Sequence, residues 1–260
     1  METLEGRQSV FAALQARRRR FEVILLAHGA HLEKLEELMA LAAELGVPVK
    51  TVARAELDAM AHGMTHGGVV AIVSALPRLN GDQLLAHLDA VHEPPLLLLL
   101  EGVDDARNLG FTLRSAEALG VHAVLIKKHL WDFDSTEVAR PASGAYERLP
   151  LVQIEDVEPL KRLQRRGVRL LGCIAGAKRL LYDRDLTQPT ILAIGGEKRG
   201  LSGAVRDICD RFITIPTVGG PSSLSLSHAA AIVMAEAHRQ RMGANPFKDA
   251  VVIDSREIEE

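Results

Sequence analysis

Apolar positions along this chain change their period, and the changes mark its parts. Arg7–Arg17 carries Val10, Ala13 and Leu14 at helical spacing, and Glu22–Ala27 is a short apolar run that predicts a strand. Leu32–Leu45 is strongly periodic and closes on Gly46, which predicts an amphipathic helix. Val49–Val52 reads as a second strand, Ala55–Ala61 as a short helix, and Gly68–Ala75 as a third strand entered through Gly67-Gly68. The pattern then breaks at Pro77, Asn80-Gly81 and Pro94-Pro95, with a helical piece between. Residues 1–76 are expected to form a small α/β domain and 77–93 a linker.

Beyond the linker, strands and helices alternate. Strands are expected at Leu96–Leu100, Ala123–Ile126, Arg169–Ile174, Thr190–Ile194 and Phe212–Ile215. Helices are expected at Leu109–Leu119, near Ser135–Ala139, and at Val157–Arg166, Ser202–Ile208 and Ser227–Arg241. Apolar strands alternating with helices imply a mostly parallel sheet covered on both faces. The fold class is therefore α/β, with a second domain over 94–245 and a polar, acidic tail over 246–260.

Composition narrows the partners. Aromatic residues are only 3% of the 260, so base stacking on aromatic platforms is not the main grip on any nucleic acid. No apolar stretch reaches membrane-spanning length, and no apolar leader segment opens the chain, so a cytoplasmic protein is expected. Cys173 and Cys209 lie in apolar stretches with no CxxC spacing, which reads as buried residues rather than a disulfide or metal framework. His62 and His66 are four apart, but no third ligand follows at metal-site spacing, so no metal is expected. The net charge of −3 misleads, because Asp249–Glu260 holds five acidic residues and one Arg. Without it, 30 basic residues face 29 acidic ones, and the basic ones cluster. One cluster spans Lys161 to Arg169 and another is Lys198-Arg199. Arg17, Arg18, Arg19 and Arg20 are consecutive, and four like charges repel unless an anion relieves them. Phosphates are a candidate anion, and solvated helix faces are the alternative reading of each cluster.

Three segments carry the candidate chemistry: Glu101–Arg114, Ile194–Ser202 and Ile215–Ser227. Each follows an apolar strand and feeds a helix, which places all three at strand carboxyl ends, where such sheets bind ligands. Asn108 is a credible helix cap and Arg114 follows six residues on. Gly195-Gly196-Glu197-Lys198-Arg199-Gly200 is a tight turn that is neither a P-loop nor a dinucleotide fingerprint. Its Glu197 suits ribose hydroxyls or a cation better than phosphate. Ser225 or Ser227 would cap the last helix, and no GxSxG elbow marks an acyl-transfer nucleophile.

Taken together the segments resemble the three motifs of the SpoU-type RNA ribose 2′-O-methyltransferases. Asp105, Asn108-Leu109-Gly110 and Arg114 match the first motif, Gly195 through Leu201 the second, and Ile215-Pro216 with Ser223 through Ser227 the third. Gly6-Arg7 and His66 through Val70 resemble the start and end of the L30e-like substrate-binding domain of this family, so the likeness covers roughly 4–243. The resemblance implies a C-terminal trefoil knot, a homodimer and S-adenosylmethionine as methyl donor. It implies methylation of a ribose 2′-hydroxyl of RNA, with 23S ribosomal RNA and guanosine favoured. It assigns cofactor contacts to Gly195, Gly196, Ile215, Pro216 and Leu224, and RNA contacts to Arg7, Arg17, Arg18, Arg19 and Arg20. It assigns catalysis to Asn108, Arg114, Glu197, Ser223 and Ser225, with Glu197 positioning either Arg114 or the substrate. Two residues depart from the pattern: Ala106 stands where the family has Pro, and Ser225 where it has Asn. The second departure keeps an alternative open, a non-methylating RNA-binding or ribosome-assembly protein on the same scaffold.

Overall fold

The computed structural model describes residues 1–62, 66–127, 133–218 and 224–243. A first sheet holds β1 (Glu2–Glu5), β2 (Phe21–Ala27), β3 (Val49–Val52) and β4 (Val69–Val73) in the order β1-β4-β2-β3. β2 and β3 run parallel, and β4 is antiparallel to β1 and β2. Helices α1 (Arg7–Ala16), α2 (Glu36–Glu44) and α3 (Arg54–Met60) connect these strands. The helix expected over Leu32–Leu45 opens as a 3-10 turn, Leu32–Leu35, before α2 begins. β1 is absent from the sequence reading because its Glu-Thr-Leu-Glu run lacks an apolar alternation; pairing with β4 makes it a strand.

The second sheet holds β5 (Leu96–Glu101), β6 (Ala123–Lys127), β7 (Leu151–Ile154), β8 (Arg169–Cys173), β9 (Thr190–Gly195) and β10 (Arg211–Ile213). Their order is β10-β8-β9-β5-β6-β7, and every pairing is parallel. Its helices are α4 (Gly81–Asp89), α5 (Ala106–Ala118), α6 (Ser135–Ala142), α7 (Ala145–Arg148), α8 (Glu158–Arg165), α9 (Gly203–Ile208) and α10 (Leu226–Arg241). The five leucines of β5 show why both faces are covered. Leu96, Leu98 and Leu100 pack with Leu109 and Leu113 of α5 and Val233 of α10. Leu97 and Leu99 turn the other way, onto Leu84 of α4, Leu160 of α8 and Val205 of α9. The segment 77–93 joins the sheets but is no bare linker. α4 buries Leu84 and Leu85 on the second sheet, and Leu79 pairs with Val152 of β7.

The two sheets share one core, which runs from Leu4, Val10 and Leu14 to Val138 and Leu109. Arg19 crosses this junction with its side chain fully buried. It reaches Glu147 at 2.7 and 2.9 Å and Glu2 at 2.6 Å. Arg18 donates to the backbone carbonyls of Leu149 at 2.6 Å, Glu147 at 3.1 Å and Pro77 at 3.1 Å. The RNA contacts expected of Arg18 and Arg19 are therefore corrected: their guanidinium groups are spent on carboxylates and carbonyls of the protein itself. Arg17 pairs with Glu44 at 2.7 Å on the surface, and Arg20 is exposed. The α8 cluster is likewise matched pairwise, Arg162 with Asp82, Arg165 with Glu158 and Arg166 with Asp89.

Gly110 sets how α6 lies on α5, because a Cβ there would strike the Pro141 ring and the Val138 carbonyl. None of the described helices is long and apolar enough to cross a membrane. Residues 244–260, which include the expected acidic tail, lie outside the described residues. So do residues 219–223 of the connection from β10 to α10.

Candidate active site

The three segments follow the carboxyl ends of β5, β9 and β10 and meet at the start of α10. The turn after β9 begins with Gly195 and Gly196 because nothing larger fits. A Cβ on Gly195 would overlap the Gly200–Leu201 peptide, and one on Gly196 would overlap the Gly102 carbonyl. The turn closes with the Gly200 N–H on the Gly196 carbonyl at 2.8 Å. Its far end is held by Glu101, which is 3% exposed. That carboxylate accepts the Ser202 N–H at 2.7 Å and the Ser202 hydroxyl at 2.9 Å, and it pairs with the Lys127 ammonium. One buried carboxylate thus ties the ends of β5 and β6 to the turn after β9. The sequence reading singles out neither Glu101 nor Lys127. The available signal is a Glu closing an all-leucine strand, since a charge buried there must be paired.

Asp105, rather than Asn108, caps α5. Its carboxylate accepts the N–H groups of Arg107 at 2.7 Å and Asn108 at 3.2 Å. The Arg107 guanidinium first, and then the Asn108 N–H, hold the Asp105 carboxyl below the usual carboxylate range. Asn108 is therefore inside the first turn, where its side-chain carbonyl accepts the Ser227 hydroxyl at 3.1 Å. Ser225 caps α10 by accepting the His228 N–H at 3.4 Å, and its hydroxyl lies 3.1 Å from that of Ser227. Ser225 Oγ also sits 2.5 Å from His228 Nδ1. Glu197 accepts the N–H of Leu226, the first residue of α10, at 3.2 Å. Asn108, Glu197 and Ser225 are thereby brought to one helix start.

Arg114 is placed differently. Six residues along a helix turn its side chain roughly 120° away from that of Asn108. It is exposed and makes no hydrogen bond or ion pair among the described residues. Glu197 takes the Leu226 N–H rather than Arg114. Ser223 lies outside the described residues.

A cavity of about 590 Å³ opens between the second and third of these segments. Gly195, Gly196, Glu197, Ile215 and Leu224 line it, whereas Pro216 does not. Cys173 through Gly176, at the end of β8, form a further wall that the sequence reading missed, since Cys-Ile-Ala-Gly carries no motif. Burial, and secondarily Cys209, push the Cys173 thiol up to about 12; burial pushes Cys209 up to about 11. Neither is a nucleophile at neutral pH, and Cys173 serves as apolar wall.

The volume lies within the range of small-molecule sites. Apolar walls at Ile174, Leu181 and Val233 suit a purine, while the Gly195-Gly196 backbone on the cavity wall and the Glu197 carboxylate suit hydroxyls or a cation. These residues fit S-adenosylmethionine. His62 and His66, in contrast, go to separate partners, Glu5 and Asp58.

The SpoU rRNA Methylase family matches residues 95–235, and the RNA 2′-O ribose methyltransferase substrate binding family matches residues 3–79. The chain is 38% identical over 243 residues to the 23S rRNA (guanosine-2′-O-)-methyltransferase RlmB of Pseudomonas putida, covering 93% of this chain and 97% of that protein. It is 36% identical over 242 residues to RlmB of Vibrio cholerae, covering 93% and 98%. Among solved structures it is similar to the SpoU methyltransferase AviRb of Streptomyces viridochromogenes in complex with AdoMet. There the TM-score is 0.78 at 27% identity, covering 92% of this chain and 90% of that one.

Proposed function

The chain belongs to the SpoU rRNA methylase family, and on that premise we propose that it methylates the ribose 2′-hydroxyl of a guanosine in 23S ribosomal RNA. One observation carries the reading. The Glu197–Leu226 contact joins the second and third segments on the wall of one cavity with adenosyl-compatible walls, and the Asn108–Ser227 bond ties the first segment to the third. S-adenosylmethionine, when bound, supplies an electrophilic methyl group on a sulfonium. Gly195, Gly196, Ile215 and Leu224 would hold it through backbone and apolar contact. Glu197 and Asn108 orient the ribose hydroxyls. Arg114 stabilises the alkoxide that develops as the 2′ proton leaves to water or a phosphate oxygen; a guanidinium stays charged and is a poor base.

The exposed apolar residues Leu180, Tyr182, Val218 and Leu224 lie on segments beside this cavity, which supports a homodimer closing over its rim. Arg7, Arg17 and Arg20 remain the RNA contacts of the first domain, and the protein acts in the cytoplasm, where ribosomal RNA is met. Transfer of labelled methyl groups from S-adenosylmethionine to ribosomal RNA tests the reading. Arg114→Ala should abolish transfer and leave affinity for S-adenosylhomocysteine within a few fold, because Arg114 is not on the cavity wall. RNA binding without any methyl transfer by the natural protein would favour the RNA-binding alternative that Ser225 keeps open.

A further inference from the structure

The hydrogen bonds at the start of α10 fix where each proton lies. The Ser227 hydroxyl donates its one proton to the Asn108 side-chain oxygen at 3.1 Å. Toward Ser225, 3.1 Å away, it is then left to accept, so Ser225 spends its own proton on Ser227. Ser225 Oγ is in turn left to accept. It takes the His228 backbone N–H at 3.4 Å and faces His228 Nδ1 at 2.5 Å. Nδ1 must therefore carry the ring proton. A neutral imidazole donates from one nitrogen and accepts on the other, so Nε2 is a bare acceptor. His228 is exposed, and its ring makes no other hydrogen bond or ion pair among the described residues.

This nitrogen stands beside the cavity of the second and third segments. Leu226 and Ala229, which flank His228 in the first turn of α10, line that cavity, and Glu197 reaches the same helix start. The elements packed most extensively on α10 are α5, β9 and the turn Leu181–Asp183. Their titratable or charged groups are Arg107, Arg114 and Glu117 of α5 and Tyr182 and Asp183 of the turn, and none bonds the imidazole. The charged groups of α10 itself begin at Glu236, more than two turns on.

We propose that His228 is the general base of the methyl transfer, its Nε2 taking the proton of the ribose 2′-hydroxyl. The proposal rests on the methyltransferase reading and names the proton acceptor within it, in place of water or a phosphate oxygen. As the proton passes to Nε2, the electron pair of the O–H bond stays on the 2′ oxygen, which forms its bond to the methyl carbon. The carbon–sulfur bond breaks with its pair left on sulfur, which ends the sulfonium charge. The imidazolium, facing solvent, returns its proton to water. Ser225, Ser227 and Asn108 act on this step as positioning residues, since their bonds hold the ring in the tautomer that leaves Nε2 free. Arg114 keeps the task of stabilising the developing alkoxide.

Nitrogen-resolved NMR of the full chain, without RNA or S-adenosylmethionine, reads the tautomer. At pH 8 the ring of His228, assigned by its absence from His228→Ala, should carry its proton on Nδ1. Ser225→Ala should lose that preference, whereas Ser225→Asn offers an amide oxygen to the ring and should keep it. Single-turnover methylation of ribosomal RNA is the second readout. His228→Ala, at an exposed position, should keep the melting temperature and RNA affinity of the natural protein and lose roughly hundredfold in rate. The rate of the natural protein should rise with pH across the range in which imidazole loses its proton, and the variant should lack that rise. Added imidazole should restore part of the variant's rate. A ring protonated on Nε2 overturns the proposal. So does a variant as fast as the natural protein, or a slow one that keeps the natural pH profile or gains nothing from imidazole. No transfer by the natural protein counts against the methyltransferase reading and takes the proposal with it, whereas transfer that survives His228→Ala removes His228 alone.

Discussion

Ser225 asks one hydroxyl to do two things. It caps α10 through the His228 N–H, and it touches Ser227, whose own hydroxyl reaches Asn108. Asn caps a helix about as well as Ser, so Ser225→Asn should leave unfolding free energy within about 0.5 kcal/mol. Ser225→Ala loses the cap and should cost about 1 kcal/mol by denaturant titration. Turnover separates the two readings of the protein. The Asn108–Ser227 bond already links the first and third segments without an amide at 225, so the natural protein is expected to be active and Ser225→Asn to change single-turnover rate only a few fold. Activity in the variant alone would reverse that conclusion. At this scale the cap was readable, because a Ser before a helical period has a local meaning. Arg18 and Arg19 were not readable: Glu147 lies 128 residues beyond Arg19, and no local pattern announces a partner that far away.

Among elements, the turn after β9 shows how much of a site is set by its supports. Gly195 and Gly196 permit the close approach of two backbones, and Glu101 with Lys127 fixes the far end. Glu101→Gln would leave the Lys127 ammonium, 17% exposed, without its countercharge. Removing one member of a buried pair costs about 3 kcal/mol. Thermal unfolding should show that loss, and calorimetry should show weaker binding of S-adenosylhomocysteine, because the loosened turn carries Glu197. Stability and affinity both near those of the natural protein would remove Glu101 from this role. The strands of the second sheet were legible because both their faces are buried and the sequence runs apolar without interruption. The edge strands β1 and β7 were not: β1 has one apolar residue in Glu-Thr-Leu-Glu, and each takes its conformation from the strand it pairs with.

Over the whole molecule, the junction between the two sheets is polar at its centre and apolar around it. Arg19 and Glu147 are both buried there, with Glu2 as a third member. Arg19→Met should destabilise by about 3–5 kcal/mol, because it strands the Glu147 charge. The double change Arg19→Met with Glu147→Met should recover much of that loss in denaturant titration; no recovery would mean that packing, not charge, dominates the site. A second polar contact crosses the same junction at its edge. His62, from the first domain, lies 3.0 Å from Glu5 and 3.5 Å from Asp134, just before α6. The hydrogen bond to Glu5 first, and then the Asp134 charge, raise the His62 pKa above its ordinary 6.5. A raised folded-state pKa means that the folded form holds the proton more tightly. The resulting stabilisation is complete below about pH 6.5 and is lost as pH rises through the higher folded value. His62 is half exposed, so solvent keeps the effect small. The melting temperature should therefore fall between pH 6 and pH 8 by more in the natural protein than in His62→Gln, which cannot titrate. Identical pH dependence in the two would show that the contact at the domain edge contributes nothing to holding α6 against the first sheet.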